Sequence, residues 1–350
     1  MRIFYASNTS PDAEFRSNLW RQNLYSSLAD LGHDMVEFDY DLNETFRNLD
    51  PADPQQRIFI SANRPRVTEE LLRQIRRAHE AAKVDMFFSY FYDACIQPEA
   101  IDEIRAMGIT TVNWYCNGSY QLHLVAEIAP HYDWCLVPEK ARLEDYRKMG
   151  ARPIYCQEAA NPLVYKPYDL PIEYDVTFVG QAYGDRPSYL EYLRIRGIDV
   201  HVWGRGWPVT SQPPRAPLQS EAVITSGGIL SDDELIKMYS RSRINLGFST
   251  CGETHRAGER IMQVRLRDFE VPMSGGFYMV EYMEELEEFF DIGKEIICYN
   301  NREDLADKIG YYLSHERERE AIRWAGHRRC RRDHTWRKRF EAAFREMGLA

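Results

Sequence analysis

Three short stretches in the second half of the chain carry residue types at spacings that could do chemistry. In RDFEVPMSGGF, residues 267–277, Glu270 stands between Phe269 and Val271, and the stretch closes on Ser274, Gly275 and Gly276. A carboxylate on an apolar edge is costly unless something pairs with it. Pro272 lacks an N–H and suits the first turn of a helix. The spacing therefore predicts a helix start over 268–271 and its end at 274–276. Helix starts carry partial positive charge and favour phosphates and carboxylates. An ionised Glu270 can accept two hydroxyl hydrogen bonds, as a ribose diol would supply. The competing reading is that it completes the helix start or pairs with Arg265 or Arg267.

The second stretch is TFVGQAYGDRP, where a strand stops at Gly180 and a loop with Gly184 and Arg186 leads into a helix. Glycine lets a backbone approach a ligand, and the following helix N-terminus attracts anions. The spacing is not G-x-G-x-x-G, so an ordinary strand-to-helix turn competes with a phosphate site. The third is VWGRGWP, where Gly204, Arg205 and Gly206 end a strand beside a tryptophan. Backbone groups and a flat ring suit a nucleotide base; a tight turn beside a core tryptophan is the alternative.

Elements at regular intervals position these stretches. RIFYAS, a helical pattern over FRSNLWRQNLYSSLADLG and then HDMVEFDYD make a strand–helix–strand opening. A polar stretch over 43–66 reads as a long surface loop. TEELLRQIRRAHEAAK, PEAIDEIRAMG and ARLEDYRKMG read as helices alternating with the strands VDMFFSYF, ITTVNWYC, WCLVPE and RPIYCQEA. The rhythm breaks at NPLVYKPYDLPIEYD, with three prolines, which reads as an interdomain linker over 160–174. It restarts with DVTFVG and runs to EIICY and REDLADKIGYYLSH. In SDDELIKMYSRS, Ser231 and Glu234 form a capping box. Two runs of alternating strands and helices predict two α/β domains with parallel sheets, whose ligands sit at the carboxyl ends of the strands.

The chain has 350 residues, 44% hydrophobic, with 44 basic against 54 acidic residues and a net charge of −10. That length accommodates two domains. The acidic balance argues against nucleic acid as a partner. Seven cysteines at wide spacings, without Cys-x-x-Cys, predict reduced thiols and a cytoplasmic protein. MRIFYASNTS lacks the pattern of a secretory signal. Asp39 and Asp41 formally match D-x-D, but two residues specify little, and no metal is expected.

RINLGFS, RLRDFEVPMSGGFYMVEYMEELEEFF and the segment through IRWAG resemble the C-terminal part of CgeB-like, group-1-type glycosyltransferases. AGHRRCRRDHTWRKR is similar to the closing pattern of that family, and LADLGHDMVEFD to its opening. The resemblance covers about 175–340 well. It implies a GT-B fold, two Rossmann-like domains facing across a cleft, with domains at 1–165 and 166–330 and a basic helix at 331–350. It implies a retaining, metal-independent hexosyltransferase that takes a nucleotide diphosphate sugar as donor and a hydroxyl on a glycan, protein or small molecule as acceptor. No bound cofactor is required.

On that resemblance Glu270 binds the donor ribose. Gly180, Gln181, Ser274, Gly275 and Gly276 lie by the diphosphate, with Arg186 or Arg260 as charge partners. Gly204, Arg205, Gly228, Ile229 and Leu230 lie near the base. Related retaining enzymes carry a second glutamate seven residues before the first, where this chain has Gln263. Where the family often shows an acid after W-x-x, this chain has Asn117. Asn117 and His123 on the acceptor side, and His255 in STCGETHRAGER, are the candidate catalytic residues. The basic run from Arg328 to Arg339 could touch nucleic acid or an anionic membrane surface, or lie as a solvated helix face packed back over the acidic body, the reading preferred here. Two other functions stay open: a nucleotide-sugar-binding protein without transfer, and a nucleotide-sugar epimerase.

Overall fold

The computed structural model describes residues 1–8, 17–47, 49–207, 224–251 and 260–349. The chain forms two compact units, Met1–Gln157 with Trp336–Ala350, and Glu158–Thr335.

The first unit is built on six parallel strands: β1 (Arg2–Ala6), β2 (Asp34–Glu37), β3 (Met86–Ser89), β4 (Thr110–Trp114), β5 (Trp134–Val137) and β6 (Pro153–Tyr155). Their order is β2-β1-β3-β4-β5-β6. Every residue of β3, MFFS, is buried, because a central parallel strand is covered on both faces and has no polar side to show.

The 43–66 stretch is not a loop throughout. A helix spans Pro54–Ala81. Asp53 caps it, accepting the N–H groups of Gln55 at 2.8 Å and Gln56 at 3.1 Å, and Pro54 takes the first helical position. Its buried stripe is Ile60, Val67, Thr68, Leu71 and Ile75. The first turns contribute little to that stripe, so the sequence pattern hides them.

Residues 331–350 do not form one helix. Glu316–Asp333 ends in the second unit, and Trp336–Glu346 belongs to the first. Trp336, Phe340 and Phe344 share one face of that last helix. The Trp336 ring lies 5.5 Å from that of Trp114, and the Phe340 ring 5.7 Å from that of Phe88. The boundaries at Gln157/Glu158 and Thr335/Trp336 differ from the expected 165/166 and 330/331. Packing sets them: the proline-rich segment is laid down within the second unit, and the final aromatic stripe completes the first.

The second unit has β7 (Tyr174–Val179), β8 (Val200–Trp203), β9 (Ile224–Gly227), β10 (Ser242–Gly247), β11 (Thr250–Cys251), β12 (Ile261–Met262), β13 (Tyr278–Glu281) and β14 (Ile297–Tyr299). Six of them form a parallel sheet in the order β14-β13-β10-β7-β8-β9, and β11 pairs antiparallel with β12. Val176, Phe178, Val202, Ile244, Leu246 and Met279 supply the buried core of the sheet. Strand order reverses between β1 and β3 in the first unit and between β7 and β10 in the second. Both are doubly wound sheets, in which a crevice opens at the carboxyl edge where the order reverses.

Candidate functional site

The turns after β7 and β8 are joined at the carboxyl edge of the second sheet. Gly180 N–H donates to Trp203 O at 2.8 Å and Ala182 N–H to Arg205 O at 2.8 Å. Trp207 Nε1 donates to Gly180 O at 2.8 Å. Gly204 has φ 138°, and a Cβ there would lie 2.2 Å from Gly180 O. Only glycine allows the two turns to approach this closely. Gly180, Gln181, Gly204 and Arg205 are thus brought together, with Gln181 and Arg205 exposed. Gly228 and Ile229, exposed, and Leu230, half-buried, follow β9 at the same edge.

Arg186 opens the helix Arg186–Ile195 and folds back into the reversal point. It is 5% exposed. Its Nη1 donates to Gln181 O at 3.1 Å, and its Nη2 to Tyr183 Oη at 2.8 Å and Thr250 O at 3.3 Å. The guanidinium carbon lies 3.8 Å from the Tyr183 ring centre, 5.4 Å from Phe178 and 5.6 Å from Phe248. Among the described residues no carboxylate pairs with it, and its Nε has no hydrogen-bond partner. Burial pulls its pKa down to about 10, and the neighbouring charges of Arg265 and Arg267 act in the same direction. Arg265 Nη1 also reaches Thr250 O, at 3.3 Å. Two guanidinium groups therefore converge on one carbonyl. Arg260 is differently placed: Asp185 lies 3.0 Å from it, and the buried Glu281 accepts its other hydrogen bond.

The helix that carries Glu270 spans Leu266–Met273. Arg265 is its N-cap, and Asp268 closes a capping box by accepting Arg265 N–H at 2.8 Å. Tyr278 Oη donates to the other Asp268 oxygen at 2.7 Å. Burial nevertheless lifts the Asp268 pKa to about 6. Pro272 lies in the last turn of this helix rather than the first, because Asp268 and not Pro272 organises the start. Gly275 N–H bonds to Pro272 O and Gly276 N–H to Val271 O, each at 2.9 Å, with Gly275 at φ 70°. This is a Schellman ending. Ser274, Gly275 and Gly276 consequently sit where β13 begins, at the amino edge, where a helix end is electronegative. The structure does not bring them to Gly180 and Arg186, and Arg323 Nε donates to Gly275 O instead.

Glu270 is 1% exposed. One oxygen lies 3.9 Å from Arg267 Nη1, and Oε1 has no partner among the described residues. Burial raises its pKa; Arg267 and Tyr165 oppose that rise. Arg267 itself donates to Tyr239 Oη. Gln263, 7% exposed, donates its backbone N–H to Ser249 O at 3.0 Å, and its side-chain Oε1 has no partner among the described residues.

In the first unit Asn117 follows β4 with φ 73°, alone among described non-glycine residues in the left-handed region. His123 stands well exposed, its Nε2 3.4 Å from Asp50. His255 lies outside the described residues. The sequence reading missed Glu139, two residues past β5. Its buried carboxylate faces the N–H groups of Asn117, Gly118 and Ser119, and burial lifts its pKa to about 7. It also cast Arg265 and Arg267 only as partners of Glu270, although their alternation just before it is visible in the sequence. Among the described residues no group of three His, Cys, Asp or Glu side chains could hold a metal ion, and no helix is long and apolar enough to cross a membrane.

Residues 186–345 match the family model described as glycosyl transferase-like. No curated protein matches. Among solved structures, the chain is similar to sucrose-phosphate synthase from Thermosynechococcus elongatus, at 12% identity and TM-score 0.61 over 99% of this chain and 98% of that one. It is similar to HepE from Anabaena in complex with UDP-glucose, at 9% identity and TM-score 0.60 over 99% of each chain. A glycosyltransferase from Rickettsia africae matches at 14% identity and TM-score 0.59 over 98% of this chain and 96% of that one. The fold is GT-B, with a Rossmann-like sheet in each unit. Within it, residues 186–345 are a domain of the glycosyl transferase-like family.

Proposed function

We propose that this chain transfers a sugar from a nucleotide diphosphate sugar to a hydroxyl acceptor, and that its second unit holds the donor. The observation that carries the reading is Arg186, a buried guanidinium with no carboxylate partner among the described residues, at the strand-order reversal. A buried cation held only by carbonyls, a phenol and ring faces has paid desolvation that an anion offsets. Arg265 and the N-terminus of the Leu266–Met273 helix lie on the same side. When the sugar C1–oxygen bond breaks, the electron pair leaves with the nucleoside diphosphate, and guanidinium groups placed here stabilise that charge. Glu270 Oε1 takes the ribose hydroxyls. Because Glu270 is almost wholly buried, donor binding and local opening are one event. HepE, whose structure holds UDP-glucose, supports a nucleotide-sugar donor.

Thermal shifts with UDP, GDP, CDP and TDP test donor binding, since a ligand stabilises the state that binds it. The Glu270→Gln variant is expected to lose about tenfold in affinity for the best of them, as hydrogen bonds to a charged group are worth about 1.5–3 kcal/mol. Unchanged affinity would remove the ribose contact. Affinity should also fall as pH drops through the Glu270 pKa, which burial places above the usual carboxylate range.

Gln263 favours a second reading, a nucleotide-sugar-binding protein without transfer, because a neutral amide stands where related retaining enzymes have a carboxylate. Incubation with nucleotide sugars separates the two. Nucleotide release that an added acceptor accelerates supports transfer; binding without turnover supports the second reading; an epimerised sugar supports neither.

A further inference from the structure

A closed circuit of contacts surrounds the reversal point of the second sheet. Glu281 ends β13 at the carboxyl edge, one residue past Val280, which pairs in register with Gly247 of β10. Two residues beyond Gly247, Ser249 Oγ donates to Glu281 O at 2.7 Å, and Ser249 O accepts Gln263 N–H at 3.0 Å. Glu281 Oε1 accepts a hydrogen bond from Arg260, and Arg260 Nη2 lies 3.0 Å from Asp185 Oδ2. Asp185 precedes Arg186, whose Nη2 returns to Thr250 O at 3.3 Å, next to Ser249. Four polar atoms on this circuit have no partners among the described residues: Glu281 Oε2, Thr250 Oγ1, Gln263 Oε1 and Arg186 Nε. Each belongs to a residue more than nine-tenths buried.

We propose that Glu281 determines specificity for the transferred sugar: its Oε2 takes hydroxyl groups of that sugar. This rests on the reading that the second unit holds a nucleotide diphosphate sugar. Polar atoms buried without partners cost free energy that a ligand able to pair with them offsets. Their types say what that ligand must bring. Glu281 Oε2 and Gln263 Oε1 only accept, Thr250 Oγ1 accepts or donates, and Arg186 Nε only donates. A phosphate offers acceptors, so it suits the guanidinium and leaves the carboxylate and amide oxygens unpaired. A sugar ring offers several hydroxyl donors, which those oxygens lack. The two assignments are compatible, because the transferred sugar is bonded directly to the diphosphate and Arg186 belongs to the same circuit. Arg260 holds one Glu281 oxygen and so fixes which oxygen is left for the ligand. A hydroxyl donating to a carboxylate makes a charge-assisted bond, roughly twice the strength of a neutral one. Glu281 therefore contributes more than Thr250 or Gln263, and an uncharged, hydroxyl-rich sugar is the class that fits.

The test uses the full chain, the nucleoside diphosphate that stabilises it most among UDP, GDP, CDP and TDP, and the glucose, galactose and mannose conjugates of that nucleotide. Calorimetric affinities are measured for the wild type, Glu281→Gln and Thr250→Val. The wild type should bind its best conjugate about tenfold more tightly than the nucleoside diphosphate. Glu281→Gln keeps an oxygen that can accept from Arg260, and should cut that preference to about twofold or less while binding the nucleoside diphosphate as before. Thr250→Val removes only an unpartnered hydroxyl, so its melting temperature should hold and its preference fall to about threefold. No affinity for any of the four nucleotides overturns the donor reading and this inference with it. Nucleoside diphosphate binding without preference for any conjugate overturns this inference alone. So does a Glu281→Gln variant that retains the preference, the result expected if water completes the four atoms. Equal weakening of nucleotide and conjugate, with a lower melting temperature, makes Glu281 only the partner of Arg260 and overturns it too. Should Glu281→Gln fail to fold, Thr250→Val decides: a preference equal to that of the wild type overturns the inference.

Discussion

Where strand order reverses, the first unit presents rings over a hydrogen-bonded Ser89–Asn113–Tyr132 network, whereas the second presents guanidinium groups with open valences. After β3 come Tyr90, Phe91 and Tyr92, and the Tyr90 ring lies 5.7 Å from Trp20 and 5.3 Å from Trp114. Beneath them Ser89 Oγ donates to Asn113 Oδ1 at 2.8 Å and meets Tyr132 Oη at 2.8 Å, and Asn113 exchanges hydrogen bonds with the Phe91 backbone. The Ser89, Asn113 and Tyr132 side chains are satisfied within the unit, although Trp114 Nε1 and Tyr115 Oη beside them are buried without partners among the described residues. At the matching point of the second unit, Arg186 Nε, Thr250 Oγ1 and Gln263 Oε1 are buried without partners among the described residues. A satisfied network rigidifies; an unsatisfied one costs free energy until a ligand or water completes it. Two sheets of the same class thus diverge in the chemistry of their loops, where function resides.

Three substitutions would break or sharpen this contrast. The largest effect belongs to Gly204→Ala. Its φ of 138° and the 2.2 Å approach to Gly180 O leave no room for a methyl group. The backbone penalty alone is about 1–3 kcal/mol, and the joined turns after β7 and β8 must separate. Urea denaturation should show the loss together with weaker nucleotide binding; an unchanged midpoint would mean that the turns are not held by this contact. Arg186→Met comes next and dissociates stability from binding. It removes a buried, unpaired charge, so the melting temperature should hold or rise. Diphosphate affinity should fall by about tenfold, corresponding to about 1.5–3 kcal/mol. A fall in melting temperature with affinity intact would make Arg186 a structural residue like those of the first unit. The smallest effect is in the first unit. Asn117→Gly relieves a left-handed side-chain conformation and should raise stability by less than about 1 kcal/mol. Donor affinity should not change, since the donor is assigned to the other unit.

The sequence was legible where a pattern reports a local preference. The buried run MFFS, the strand ends at Gly180 and Gly204 and the Ser231 cap all appear as their residues predict; Glu234 N–H bonds to Ser231 Oγ at 3.3 Å. It was opaque where a residue answers to partners distant in sequence. Pro272 looks like a helix start, but Asp268 was free to cap at Arg265, so the helix begins earlier and places Ser274, Gly275 and Gly276 at the amino edge. The turns of 54–66 bury few side chains, so their amphipathic pattern is faint. The last helix hid its allegiance because Trp336 and Phe340 meet rings more than 200 residues earlier.

The order of strands and helices, the turns that require glycine, and the acidity of the whole chain are properties of composition and short-range spacing, and the sequence alone determined them. Tertiary structure decided which charges are left without partners. It delivered Arg260 to Asp185 and Glu281 and left Arg186 among carbonyls and rings. Pairing depends on which side chains folding brings within a few ångströms, and burial multiplies the energetic consequence of each pairing that is not made.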